Sequence, residues 1–307
     1  MELFFVIILG LIIGSFLSVC IYRIPLGHVN LSDPEDNDCE QVCSAETTVK
    51  DGTTPQLTDK DIRLYYPPRS FCPICKKELR WWHNIPLLSW IILMGKCSFC
   101  QQRIPLRYPL VELTTAGFAV LSWAQHGLSL TALIIFLFAS ALVVITIIDY
   151  DYYIIPNVIS YPGTALGLLL AAVNHFTGIL RAPLVPNIWE ALLGIAVGAG
   201  FLLLISELYF RVRKIEGLGM GDVKLLAMTG AFFGAPCAIY TIFIGSVLGS
   251  VIGLGLIVFC RRKMSQMLPF GPFLAAATLI YIFYVAPTQG TLFALDFFSY
   301  PTVTWQQ

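Results

Sequence analysis

The sequence predicts an all-α polytopic membrane protein with about eight transmembrane helices and a small cytosolic domain between the first and second. Three observations carry this reading. Of 307 residues, 57% are hydrophobic and only 12% charged, against about 25% charged in a soluble domain, so most of the surface does not face water. The apolar residues are gathered into runs of roughly the 17–25 residues that cross a bilayer. The basic residues collect at the ends of those runs, on one side. The 19 basic and 19 acidic residues cancel, and no DNA- or RNA-binding motif is visible, so no nucleic-acid partner is expected.

Spans are expected near 2–22, 107–125, 129–148, 155–176, 187–210, 223–236, 237–260 and 268–286. The first run, Leu3 to Ile21, has no basic segment before it and no small-residue cleavage site after it. It reads as a retained anchor, not a signal peptide. Gly234, Ala235 and Pro236 force a turn between the sixth and seventh spans. The apolar stretch 84–94 is too short to cross and belongs to an interfacial piece or a small folded domain. Eleven of the nineteen Lys and Arg lie between Arg23 and Arg107. Arg211, Arg213, Lys214, Lys224, Arg261, Arg262 and Lys263 mark two further span ends, and Arg181 stands opposite. Eight spans place the basic ends in the cytoplasm and both termini in the periplasm. The implied division is 1–22 first transmembrane helix, 23–106 cytosolic domain, 107–287 helical membrane domain and 288–307 periplasmic tail. Gly194 and Gly198, and Gly245, Gly249 and Gly253, recur every four residues. That spacing permits close helix approach in lipid, though glycine-rich spans also produce it by chance.

The cytosolic segment has two parts. From about 30 to 61 it is acidic and polar, with Asp33, Glu35, Asp36, Asp38, Glu40, Glu46, Asp51, Asp59 and Asp61. It has little to bury and is expected to be a flexible insert. From about 69 to 106 two CxxC pairs, Cys72/Cys75 and Cys97/Cys100, stand 21 residues apart. Four thiolates at this spacing suit tetrahedral Zn²⁺, and closed coordination makes the metal structural. Disulfides are the weaker alternative in a reducing cytosol. Trp81, Trp82 and His83 are expected to form the small core of this part, with His83 surplus as a ligand. Cys20, Cys39, Cys43, Cys237 and Cys260 are read as solvated or buried thiols.

Two acids stand where apolar spans meet polar segments: Asp149, ending the run before Tyr150, and Asp222, after the glycines at 217, 219 and 221. An ionisable group in or at a span is a functional-site candidate by default. Asp151 points to a different helix face and reads as a surface or capping residue. Pro156 and Asn157 can start the following span. The glycine stretch lacks the GxxxxGK[ST] pattern and has an acid where phosphate needs donors, so it is no phosphate loop. Two readings stay open. Asp149 and Asp222 are interfacial caps, or they are paired carboxylates that share a proton and so divide into one base and one acid. The second is the chemistry of peptide hydrolysis.

At these residues the chain resembles the type IV prepilin leader peptidases, the GxGD-type intramembrane aspartic proteases, over nearly its whole length. The resemblance rests on Gly14 to Pro25, the two CxxC pairs, Trp82 to Pro86, Arg107 to Glu112, Asp149 with Ile155-Pro156-Asn157, and Gly219 to Leu225. It implies Asp149 and Asp222 as the catalytic dyad, and prepilins or type II secretion pseudopilins as substrates in the bacterial inner membrane. The short basic leader would be cut off after a glycine at the cytoplasmic boundary. It further implies N-methylation of the new terminal residue from S-adenosylmethionine, with the zinc-binding domain favouring the bifunctional form. No dinucleotide-type glycine fingerprint accompanies that activity, and the methyl-donor site is unknown. Ser18, Leu218 and the length of the acidic insert depart from the family pattern. The alternatives are a peptidase without methyl transfer and, from another class, a transporter or zinc-stabilised scaffold.

Overall fold

In the computed structural model the described residues are 1–29, 70–72, 74–75, 77–214, 219–260 and 268–287. The acidic insert, Cys39, Cys43, Leu218, the basic cluster 261–263 and the tail 288–307 lie outside them. The described residues are mostly helical: α1 (Glu2–Val29), α2 (Leu88–Ile92), α3 (Arg107–His126), α4 (Leu130–Tyr152), α5 (Asn157–Thr177), α6 (Ile188–Arg213), α7 (Met220–Cys260) and α8 (Gly271–Ile280). The chain divides into two compact units, Met1–Val120 and Leu121–Gln307.

Among the described residues, five helices are long and apolar enough to cross a membrane by length and composition: Glu2–Pro25, Leu130–Tyr152, Asn157–Thr177, Ile188–Arg213 and Met220–Leu256. The second expected span coincides with α3, and the last with a shorter apolar stretch, Gly271–Val285. The sixth and seventh expected spans form one helix with a break inside it. At Gly234 the backbone takes φ 77° and ψ −175°, a conformation glycine adopts without steric cost. Two residues on, Pro236 has no N–H for the carbonyl of Phe232. That carbonyl accepts instead from the Val185 N–H at 3.0 Å. The break therefore needs no loop.

The helix ends follow local chemistry. The Ser129 hydroxyl accepts from the Ala132 N–H and caps α4. Asn187 accepts from the Glu190 N–H at 2.9 Å and returns its own amide to the Glu190 carboxylate, a variant of the capping box. Tyr153, Gly178 and Lys214 end α4, α5 and α6 in the left-handed conformation.

In the second unit α7 packs against α5, α6 and α8, and α8 also covers α4. Ile135, Ala139, Leu142 and Ile145 of α4 are wholly buried, and Phe138 packs on Phe232 and Phe233 with ring centroids 4.9 and 4.8 Å away. Gly194 brings α6 into backbone contact with Gly230 of α7, and a Cβ on Gly198 would lie 3.1 Å from the Leu226 carbonyl oxygen. The second glycine series is looser: a Cβ on Gly245 would meet Leu274 at 2.9 Å, and one on Gly253 would reach Leu268 only at 4.0 Å. Exposed side chains on these helices, such as Leu169, Leu193, Leu204 and Phe243, are apolar, as lipid-facing surfaces are. In the first unit a further glycine pair sets the packing. A Cβ on Gly10 or Gly14 of α1 would lie 2.6 Å from the Cα of Ala116 or Glu112 in α3.

Candidate functional site

The two CxxC segments fold as copies of one turn. In the first, Phe71 bridges to Glu78 and the Cys72 N–H donates to the Lys77 carbonyl at 3.0 Å. In the second, Lys96 bridges to Arg103 and the Cys97 N–H donates to the Gln102 carbonyl at 2.8 Å. The turns bring the Sγ atoms of Cys72, Cys75, Cys97 and Cys100 within 4.8 Å of one another, with 3.9 Å between those of Cys72 and Cys100. Four sulfurs around one Zn²⁺ at about 2.3 Å stand about 3.8 Å apart, so the set fits a tetrahedral ion. Burial pushes the Cys72 thiol up to about 12. For Cys97 burial acts the same way, but the N–H groups of Cys100 and Phe99 outweigh it and bring the thiol down to about 7. A cation shared by all four would favour the thiolates.

Of the residues expected to form the small core, the Trp81 side chain lies outside those described. Trp82 is 41% exposed beneath the Arg80 guanidinium, 5.2 Å away. His83 stands edge-on to Phe99 at 5.9 Å and is not among the clustered metal-ligating side chains. Among the described residues here, Phe71, Cys72, Gly95 and Cys97 are buried. The apolar stretch 84–94 supplies α2, whose Leu88, Ile91 and Ile92 are exposed.

The aspartates lie at helix ends of the second unit. Asp149 is buried in the last turn of α4, whereas Asp151 is exposed on the same helix. Asp222 lies in the first turn of α7, where its N–H donates to the Gly219 carbonyl at 3.2 Å. The two carboxylates are close enough to interact electrostatically. Sequence reasoning missed the partner of Asp149. Its Oδ2 accepts from the N–H of Gly271, the first residue of α8, at 3.0 Å. Helix-start N–H groups have no partner within their own helix and favour an anion. A Cβ at 271 would lie 2.7 Å from that oxygen, so glycine lets the Asp149 carboxylate reach the backbone of residue 271. The signal was Gly271-Pro272 at the head of an apolar run, a helix-start pattern.

Ile155 ties the two sides together. A Cβ on Gly221 would meet its Cβ at 3.0 Å, and one on Gly271 its Cδ1 at 3.3 Å. Gly219 is less constrained, since a Cβ there would make ordinary contact with Asp222 Oδ2 at 3.8 Å. Pro156 caps α5, and Asn157 at its start accepts from the Lys224 ammonium at 2.7 Å. The segments around Asp149 and Asp222 are thus linked by a hydrogen bond as well as by packing. Such an arrangement can hold two carboxylates with one proton between them.

Two family models match the chain: the bacterial peptidase A24 N-terminal domain over residues 8–126, and the type IV leader peptidase family over residues 135–254. Among curated relatives, a prepilin leader peptidase/N-methyltransferase of Pseudomonas putida is 35% identical over 270 residues, 88% of this chain and 86% of that protein. One of the same name from Burkholderia pseudomallei is 35% identical over 290 residues, 94% of this chain and 87% of the relative. Another, from Dichelobacter nodosus, is 33% identical over 293 residues and covers 95% of both chains. No solved structure matches the chain.

Proposed function

Since this chain belongs to the type IV leader peptidase family, we propose that it is a multi-pass inner-membrane aspartic endopeptidase acting on prepilins or type II secretion pseudopilins. It removes the short basic leader at the cytoplasmic face and N-methylates the residue left at the new terminus. What supports the peptidase reading is that Asp149 and Asp222, at two helix ends, lie close enough to interact electrostatically, with the Gly271 N–H on Asp149.

In this reading the ionised carboxylate takes a proton from water as the water oxygen bonds to the scissile carbonyl carbon. The protonated carboxyl gives its proton to the carbonyl oxygen. The tetrahedral intermediate collapses, the C–N bond breaks, and the amine nitrogen takes up a proton and leaves. In this reading Asp149, which accepts from the Gly271 N–H, serves as the base and Asp222 as the acid. S-adenosylmethionine, when bound, would supply the electrophilic methyl group for the new terminal amine of the pilin.

Cys72, Cys75, Cys97 and Cys100 hold a structural Zn²⁺, and their closed set leaves it no open position for catalysis. Eight membrane passages, with α7 counted as two around Gly234, would put both termini in the periplasm and both aspartates at the cytoplasmic face. The matching domain division is the one at 22, 106 and 287. The test is prepilin cleavage by purified Asp149→Asn and Asp222→Asn proteins. Loss of cleavage in both is expected, and parental activity in either sinks the dyad. Mass spectrometry of the processed pilin is expected to show one added methyl group at its N-terminus; an unmodified terminus leaves a peptidase alone.

A further inference from the structure

The short helix α2 turns its apolar side away from the protein. Leu88, Ile91 and Ile92 share one helix face and are exposed, the last two at 63 and 68%. Met94, just beyond the helix, is 83% exposed. On the opposite side Ser89, Trp90 and Leu93 are half-buried. From Trp81 to Gly95 the sequence holds no Asp, Glu, Lys or Arg. A contiguous apolar face of this kind marks a contact surface.

The backbone of this stretch is satisfied from within. The N–H groups of Ser89, Ile91, Leu93, Met94 and Gly95 donate to carbonyls of residues 85–91 at 2.9–3.1 Å. That of Leu87 donates to Glu112 Oε2 at 2.8 Å. Lipid accepts only backbone whose polar groups are paired in this way. The depth of α2 follows from the same anchor. Glu112 packs on Gly14 of α1, where a Cβ would lie 2.6 Å from the Glu112 Cα. Gly14 stands nine residues before Arg23, about 13 Å along the helix axis. It lies inside Glu2–Pro25, a helix apolar and long enough to cross a membrane. The start of α2 is therefore tied to the interior of that apolar helix and not to its basic end.

Cations rim the patch. Arg80 and Lys96 flank the uncharged run, and residues 70–107 hold six Lys and Arg against one acid, Glu78. Lys96 and Arg103 face each other across an isolated antiparallel bridge, and both are exposed. Like charges placed directly opposite repel. The matching bridge of the first turn sets Phe71 against Glu78 and has no such conflict. An anion beside Lys96 and Arg103 would relieve theirs. The Ile104 N–H donates to the Gly95 carbonyl at 2.7 Å, which fastens the end of α2 to this bridge.

We propose that residues 85–94 lie in the cytoplasmic leaflet as an in-plane anchor, with Lys96 and Arg103 holding the phosphate of an anionic phospholipid. The inference rests on the membrane reading of α1 and α3. A leaflet offers an apolar layer beneath a phosphate layer, and the surface presents the complements of both in adjoining places. Lys and Arg at the edge of an apolar face reach headgroups while their stems stay on apolar surface. Trp82, exposed beneath the Arg80 guanidinium, is the residue type that gathers at headgroup level. Protein occupants fit less well. A second copy paired face to face would set these cations against themselves, and a basic prepilin leader would add to the repulsion.

The test uses the full-length protein in nanodiscs of phosphatidylcholine, with and without phosphatidylglycerol, containing a phospholipid with a diazirine on its acyl chain. After irradiation and digestion, label is expected on residues 85–94 as well as around the exposed Leu193 of α6 and Phe243 of α7. Label on α6 and α7 but not on 85–94 overturns the anchor and leaves the membrane reading standing. Label on none of them overturns both. Phosphatidylglycerol is expected to raise the label on 85–94 about twofold or more, and Lys96→Gln with Arg103→Gln to abolish the rise. Added salt should screen the same rise in the parental protein, a measurement that does not depend on the variant folding. A label indifferent to lipid charge overturns the phosphate contact. An amine-specific cross-link from Lys96 to a second copy, with 85–94 unlabelled by lipid, assigns the face to that copy and overturns the proposal.

Discussion

The cysteine ribbon and the aspartate pair both gather ionisable side chains, and they are held in opposite ways. In the ribbon each ligand pair is built by a turn closed on itself, Cys72 to Lys77 and Cys97 to Gln102. Only the approach of one turn to the other calls for an ion. In the aspartate pair nothing is local. Asp149 ends one helix, Asp222 begins another, and the N–H on Asp149 comes from a third, 122 residues along the chain. Glycines at 221 and 271 let these pieces meet around Ile155. The first cluster can hold a metal ion and the second rests on helix packing, so each is expected to fail to treatments the other survives.

Four perturbations would break or sharpen this contrast. The largest effect is expected from Asp149→Asn or Asp222→Asn, which remove a proton carrier and should lower the prepilin cleavage rate by about 10²–10⁴-fold. Gly271→Ala should come next. Its new Cβ would lie 2.7 Å from Asp149 Oδ2, and displacing a reacting group by a fraction of an ångström to one ångström costs about 10–100-fold. Steady-state kinetics should show this in kcat more than in KM.

Stripping the metal with a chelator should act on the other cluster. Limited proteolysis is expected to open residues 70–106 while prepilin cleavage falls far less than in Gly271→Ala. An equal fall in both would mean that the ribbon supports the aspartates. The smallest effect is expected from Asn157→Ala, which removes one exposed hydrogen bond to Lys224. Its thermal midpoint in detergent should drop by less than about 3 °C.

What the sequence disclosed follows the same division. The cysteine spacing announced its cluster because each half is complete within a few residues. Asp149 and Asp222 stood out by polarity against apolar runs, but their approach depends on contacts that no window of sequence contains. Gly271 was passed over because its role exists only once α8 packs on α4. Gly10 and Gly14 were missed likewise, since four-residue spacing says nothing until Ala116 and Glu112 face it. The turn at Gly234 was legible. Its continuity as one broken helix was not, because Val185, far upstream, supplies the N–H that Phe232 needs.

The hydrogen bond from Gly271 to Asp149 has a consequence for heredity. Its donor belongs to the main chain, so at position 271 only a codon for proline removes the N–H itself, while the acceptor at position 149 is a side chain. Random mutagenesis will score position 271 as a matter of size and leave the amide unnoticed. The donor is passed on with the path of the chain, and its place beside Asp149 with the glycine that leaves room for the carboxylate.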